Sequence, residues 1–439
     1  MKKNGKFWLT LIIFSLTGQI AWVVENMYFN VFIYKMFHAS ASDIALMVTA
    51  SAIAATVTTV LMGALSDKLG KRKILMCLGY IAWGVSILSF ALIRLDVISA
   101  LFGSAVSAAS VGITLVILMD CVMTFFGSSA NDAAFNAWLT DSTDASNRGA
   151  AEGINSMMPL ISILVVFGGF MGFNLDLAES WTVIYCIIGG IVLLIGVLGF
   201  WIVEEAPVKN PDQLGYFATI LYGFRPDIVK ANRQLYLSML AYMVFSTAIQ
   251  VYMPYLIIYY EKTLGMADYV LIMAPAIILA AVVTFFFGRL TDRYGFRCIV
   301  LPALSMLLLG FILLYLVPAI IPAEGLGMRI PVFIGSLLMM SGYLSGMAVF
   351  GTQLRNFTPA HMAGRFQGLR ILSQVLIPGI IGPQIGAWVL RDAPTVPNSD
   401  GTVSFLPSAD IFLAALLVLL IVMIGLAVSF GVQKRKNHA

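Results

Sequence analysis

Three carboxylates stand inside long apolar stretches of this 439-residue chain: Glu25, Asp120 and Asp132. An acid at membrane depth is costly unless it faces protein or water, so function is its default reading. The chemistry open to it is proton carriage or cation binding, since a buried acid can load and release one proton per cycle. The bland alternative is a neutral acid satisfied by a neighbouring helix. The surroundings favour chemistry. Asp120, Thr124, Ser128 and Asn131 recur at steps of three or four, Asp132 adjoins them, and Phe135 and Trp138 continue the stripe. Gln19, Trp22, Asn26 and Asn30 share a helical face by the same spacing, with Glu25 at its edge. A polar and aromatic seam on an apolar helix marks a wetted cavity rather than lipid.

The elements that carry these residues follow from composition. Sixty per cent of the residues are hydrophobic, 11% are charged, and the mean hydropathy is +0.93. A soluble domain carries about a quarter charged residues. This excludes a water-soluble enzyme, a disulfide scaffold and a disordered tail. A net charge of +4 is too small and scattered for a nucleic-acid binder. Runs of about 20 apolar residues predict membrane-crossing helices, and their lack of alternation excludes a barrel. Twelve spans are expected near 8–33, 42–65, 73–93, 113–139, 152–174, 180–202, 236–260, 268–290, 298–320, 331–354, 367–390 and 410–432. The stretch 94–112 reads as an external loop. With both termini cytoplasmic, only Lys35, Arg94, Lys262, Arg329 and Arg391 of the 26 Lys and Arg residues fall outside. That bias supports an even number of spans. Glu25 and the missing cleavage site argue that the first apolar run is a retained span. Cys77, Cys121, Cys186 and Cys298 read as buried small hydrophobes, and no metal site is expected. Nor does any ligand cluster suggest an enzyme.

A repeat organises the chain. Gly63-Ala-Leu-Ser-Asp67-Lys-Leu-Gly70-Lys-Arg72 follows the second span, and Gly288-Arg-Leu-Thr-Asp292-Arg-Tyr-Gly295-Phe-Arg297 follows the eighth. Gly, Asp, Gly and Arg match at one offset. Gly63 and Gly288 suit close helix packing, and Gly70 and Gly295 suit the reversing turn. The expected organisation is a six-helix bundle over 1–203, a linker over 204–235 and a second bundle over 236–439. Within the linker, Asp212–Arg225 reads as a helix on the membrane face. Pro275, Pro378 and Pro383 are expected to kink spans.

The doubled loop, twelve spans and central linker resemble the major facilitator superfamily. That resemblance implies an all-α membrane protein of two six-helix bundles, a central substrate site and loops that latch the cytoplasmic side. It makes Asp67 and Asp292 latch residues, with Arg148 and Arg365 as their cationic partners. It also implies that spans one, four, seven and ten line the cavity. Span seven then offers Tyr242, Ser246 and Gln250, and span ten offers Ser345 and Gln353 with Tyr343 and Phe350 nearby. Amides, hydroxyls and rings suit a neutral polyhydroxy solute, and no deep Lys or Arg awaits an anion.

Asn131-Asp132-Ala-Ala-Phe135-Asn-Ala-Trp138-Leu-Thr-Asp141, followed by Asn147-Arg148-Gly149, is similar to the glycoside–pentoside–hexuronide:cation symporters of the melibiose-carrier type. There, the acid matching Asp132 belongs to the cation site. The type's paired second-span acids fall at Ala55 and Thr59, and its first-span sugar-binding acid falls near Gln19. These departures favour proton over Na+ coupling. The expected protein is a proton- or cation-coupled symporter of a sugar or glycoside, without a cofactor. It would work as a monomer in the plasma membrane. An exporter of drugs or lysolipids on the same fold is the alternative.

Overall fold

In a computed structural model, the structure describes residues 5–102, 107–144, 147–205, 222–320, 326–358, 367–398 and 402–436. Twelve helices among them are long and apolar enough to cross a membrane. They are α1 (Gly5–Phe37), α2 (Ala41–Leu69), α3 (Arg72–Leu92), α4 (Ala108–Ser142), α5 (Arg148–Phe170), α6 (Ala178–Ile202), α7 (Arg233–Thr263), α8 (Val270–Tyr294), α9 (Phe296–Ile320), α10 (Gly327–Phe357), α11 (Leu369–Val389) and α12 (Asp410–Gly431). The chain forms two compact units, Met1–Ile220 and Leu221–Ala439, each with six of these helices.

Local sequence explains the ends. At the start of α2, the Ser40 hydroxyl accepts from the Asp43 N–H while the Asp43 carboxylate accepts from the Ser40 N–H. This reciprocal cap satisfies two otherwise orphaned donors. The helix stops at Gly70 with φ 63°, and α8 stops at Gly295 with φ 80°. Only glycine adopts such angles without strain. Ser107 caps α4, which therefore begins before the expected residue 113. Leu95–Phe102, expected as loop, forms a short helix. A hairpin pairs Thr395–Pro397 with Val403–Phe405 between α11 and α12.

Packing corrects two expectations. No described atom lies within 4 Å of a Cβ built at Gly63 or Gly288, so neither mediates close helix approach. Gly84 and Gly189 do: a Cβ at Gly84 would sit 2.5 Å from the Leu193 nitrogen, so α3 and α6 touch backbone to backbone. Cys77 is buried, but Cys186 and Cys298 are exposed rather than interior hydrophobes. Leu417, Ile421, Ile424 and Val428 form an exposed stripe along α12 at steps of three and four. Such a stripe belongs against lipid tails, not water. Pro275 and Pro383 lie inside α8 and α11, and Pro378 stands at the start of the α-helical stretch Ile377–Val389 of α11, just after a π-helical stretch at Leu372–Leu376. The expected surface helix falls largely on 206–221, outside the described residues. The described part of that linker holds a turn at Tyr222–Phe224 and a short helix, Pro226–Ala231.

Candidate functional site

Uniform helical spacing positions Asp120 but not the other two acids. α1 contains a π-helical stretch at Val24–Tyr28 and α4 contains another at Ser128–Phe135. The wider turn changes which side chains share a face, and such stretches concentrate at functional positions. Glu25 sits in the first and Asp132 in the second. Glu25 consequently points inward rather than lying at the edge of a polar face, and it is 6% exposed.

Its carboxylate meets two hydroxyls. The Ser51 hydroxyl of α2 donates to Glu25 Oε1 at 2.7 Å, and the Thr124 hydroxyl of α4 donates to the same oxygen at 2.8 Å. Ser51 and Thr124 are themselves 2.9 Å apart. Three oxygens thus form a closed triangle of hydrogen-bond length. Two hydroxyl protons fill only two of its edges. The third edge is filled when Glu25 carries a proton on Oε1, so that donation runs around the ring. Asp120, 2% exposed, lies in the field of Glu25 and approaches Ser51. Glu25 Oε2 and Asp120 Oδ1 have no hydrogen-bond partner.

Asp132 stands apart from this pair. It is half-buried and accepts from the Ser128 hydroxyl at 3.0 Å, twelve residues beyond Asp120 on α4. The three acids are therefore one enclosed pair and one separate group. Other polar residues are committed locally. Asn131 Oδ1 accepts from the Tyr80 hydroxyl at 3.0 Å, Asn30 donates to the Asn26 carbonyl, and Asn26 donates to the Trp22 carbonyl. Trp22 packs on Trp83 of α3 with centroids 5.1 Å apart. Gln19 is half-buried and Asn26 exposed. Ser51, Tyr80 and Trp83 escaped the reading of spacing. A run of hydroxyls in α2 (Thr49, Ser51, Thr56, Thr58 and Thr59) was the available signal for the first of them.

The second unit gathers rings. The Tyr242 hydroxyl donates to Met347 Sδ at 3.0 Å, and its ring stacks on Phe350 at 5.4 Å with a 7° interplanar angle. Phe245 and Phe296 also pack on Phe350. Ser246 is buried, whereas Gln250, Tyr343 and Gln353 are half-buried. Among the described residues these four make no side-chain hydrogen bond. Ser345 is bonded to Thr284 at 3.3 Å. No cluster of three or more metal-ligating side chains occurs among the described residues.

The repeated loops also differ. Arg72 is 3% exposed at its side chain and holds Asp67 at 2.5 Å, Asp141 at 3.1 Å and the Ser66 hydroxyl at 2.6 Å. The partner of Asp67 is thus Arg72, not Arg148. Arg148 instead donates to Thr143 and to the Thr140 carbonyl, because the end of α4 lies nearer to it. In the second loop, Asp292 and Arg297 are exposed, and Arg297 lies 6.0 Å over the Phe430 ring. No ion pair of Asp292 occurs among the described residues. Arg365 lies outside them.

No curated protein matches the chain by sequence. The fold is similar to that of a mutant of the nucleoside transporter NupG, at 15% identity and TM-score 0.71, covering 97% of this chain and 100% of that one. It is similar to a D-xylose-proton symporter at 13% identity and TM-score 0.69, covering 95% and 97%. It is also similar to a bacterial homologue of the human lysosomal transporter Spinster at 15% identity and TM-score 0.61, covering 97% and 95%. Residues 7–383 match the Major Facilitator Superfamily. Twelve apolar spans in two six-helix units and a match over most of its length lead to one conclusion: the chain is a multi-pass membrane transporter, not an enzyme, and belongs to the major facilitator superfamily.

Proposed function

We propose that the chain is a proton-coupled symporter of a neutral polyhydroxy solute, a sugar, glycoside or nucleoside, working by alternating access. The observation that carries this reading is the closed Glu25–Ser51–Thr124 triangle, whose hydrogen bonds are complete only when Glu25 is protonated. The departures from the melibiose-carrier pattern at Ala55 and Thr59 favour H+ over Na+ as the coupling ion. Asp120 is the acid coupled to Glu25, and Asp132 is a separate second candidate. Tyr242, Ser246, Gln250, Tyr343 and Gln353 supply the rings, hydroxyls and amides that a sugar's faces and edges require. Gln19, Trp22, Asn26 and Asn30 are their first-unit counterparts; Ser128 and Asn131 serve the acids.

The NupG and D-xylose-proton symporter likenesses support a sugar-bearing solute. Kinship with the melibiose-carrier type rests on the 131–149 segment and is proposed only in that form. The Arg72-centred loop acts as a latch. The Lys and Arg bias supports cytoplasmic termini, and the proposal includes a plasma-membrane location and function as a monomer.

The test uses purified protein in vesicles with D-xylose, a galactoside and uridine as probes. Accumulation of one of them under an imposed pH gradient, collapsing with a protonophore, is the expected result. Accumulation driven by a Na+ gradient alone would overturn the coupling ion. Efflux of lipophilic cations with no sugar or nucleoside uptake would establish the exporter instead.

A further inference from the structure

One face of α8, in the second unit, changes character along its length. Ile278, Leu279, Val282, Phe285 and Phe286 recur at helical spacing, and all are exposed. Such a stripe belongs against lipid tails. It runs into Arg289 and Arg293, exposed one and two turns beyond Phe285, with exposed Arg297 following at the start of α9. From Ile278 to Arg289 is eleven residues, a rise of about 16 Å. One leaflet contributes about 15 Å of hydrocarbon, half of the bilayer's roughly 30 Å. The stripe and its arginines therefore match a single leaflet, first tail depth and then headgroup level.

The arginines are not committed inside the protein. Each guanidinium lies by a ring: Arg289 is 4.4 Å from the Phe285 centroid, Arg293 5.2 Å from that of Tyr294 and Arg297 6.0 Å from that of Phe430. A ring face attracts a guanidinium without occupying its N–H donors. Among the described residues none of the three makes an ion pair, although exposed Asp292 stands between Arg289 and Arg293 in the chain. Three guanidiniums against that one carboxylate leave this end of α8 positive. The matching loop of the first unit differs. There Arg72 is buried and holds Asp67 and Asp141, and Ala64 occupies the position that matches Arg289. Arg289 thus serves neither the repeat nor an internal partner.

We infer that this face of α8 binds an anionic phospholipid, with the phosphate at Arg289 and Arg293 and the acyl chains along the stripe from Ile278 to Phe286. A guanidinium fork matches phosphate oxygens in pairs. Residues four apart on a helix stand about 6 Å apart, so the two arginines reach one phosphodiester from either side. Arg297 adds to the attraction, as basic clusters at a membrane surface do for anionic lipid. A zwitterionic phospholipid offers the same phosphate but carries its own ammonium, which the positive end repels. A free phosphate ion would use the arginines and leave the apolar stripe idle. The charge and the leaflet-length stripe together select the anionic lipid.

The test is native mass spectrometry of the full chain, released from detergent micelles that carry phosphatidylglycerol and phosphatidylcholine with the same acyl chains. Wild-type protein should retain phosphatidylglycerol in preference. Arg289→Gln with Arg293→Gln should weaken that preference on the order of tenfold to thirtyfold, since each arginine near an anionic surface contributes a factor of about five. Lys68→Gln with Lys71→Gln is the control, because it removes the same charge from exposed positions on the first unit's loop. It should keep most of the preference. Equal loss in the two double variants, or no preference in the wild type, overturns the inference. Inorganic phosphate at millimolar concentration should leave the lipid bound; displacement would make the arginines a free-anion site and overturn it too. So would a wild-type dimer that the arginine variant loses, since a second copy would then cover this face. Should the double variant fold poorly, Arg289→Gln alone must lose about fivefold, and an unchanged preference there also overturns the inference.

Discussion

The two units share a repeat in sequence and differ in what they bury. The first encloses Glu25 and Asp120 and centres its loop on a buried Arg72. The second buries rings around Tyr242, Phe350 and Tyr252, as the first does around Trp83 and Tyr80, but among the described residues it encloses no acid pair, and its matching loop is exposed. Buried charge stores free energy that can be switched by one proton, whereas a stacked aromatic cluster cannot be switched this way. On the proposed function, ion chemistry belongs to the first half, while solute-binding residues come from both.

The comparison breaks most readily at Glu25. Glu25→Gln should lower pH-driven accumulation at least about a hundredfold while downhill exchange persists. Gln250→Ala in the second unit should instead raise KM with little effect on coupling. Radiolabel uptake in vesicles separates the two.

A smaller contrast lies in the loops. Arg72→Ala leaves Asp141 and Asp67 without their cation and should cost about 3 kcal/mol. Arg297→Ala, at an exposed site, should cost about 0.5 kcal/mol or less. Thermal unfolding in detergent measures both; equal losses would erase the asymmetry.

Smaller still is Tyr242→Phe, which gives up one bond to Met347 but keeps the stack on Phe350. A loss of about 1 kcal/mol or less is expected, against about 3 kcal/mol or more for Tyr242→Ala.

The smallest effect is one of pH at the ion pair of Arg94 and Asp96, 3.0 Å apart. Asp96 is held below its ordinary value, so its contribution is present above the unfolded value and lost as pH falls through the folded one. Wild-type protein should therefore soften slightly on acidification, and Asp96→Asn should lack that component of the Tm profile.

Much of the fold was legible because lipid imposes a simple rule: twelve long apolar runs had to become twelve helices. The turns at Gly70 and Gly295 were equally legible, since each needs a positive φ. The site was legible only in outline. Glu25, Asp120 and Thr124 were flagged by residue type, and the i, i+4 step from Asp120 to Thr124 is regular, but Glu25 meets them from a π-helical stretch that displaces the 3.6-residue spacing. Ser51 comes from another helix, and no periodicity within α1 or α4 could name it. Arg72 as the true partner of Asp67 depends on side-chain reach, which spacing alone did not resolve.

The central claim is that the coupling proton resides at Glu25. Its most direct test is the pH change in a weakly buffered suspension of vesicles when the transported solute is added. Wild-type protein should make the medium more alkaline as solute and protons enter together, and Glu25→Gln should admit solute with no such change. Solute-triggered alkalinisation of wild-type size in Glu25→Gln would contradict the account.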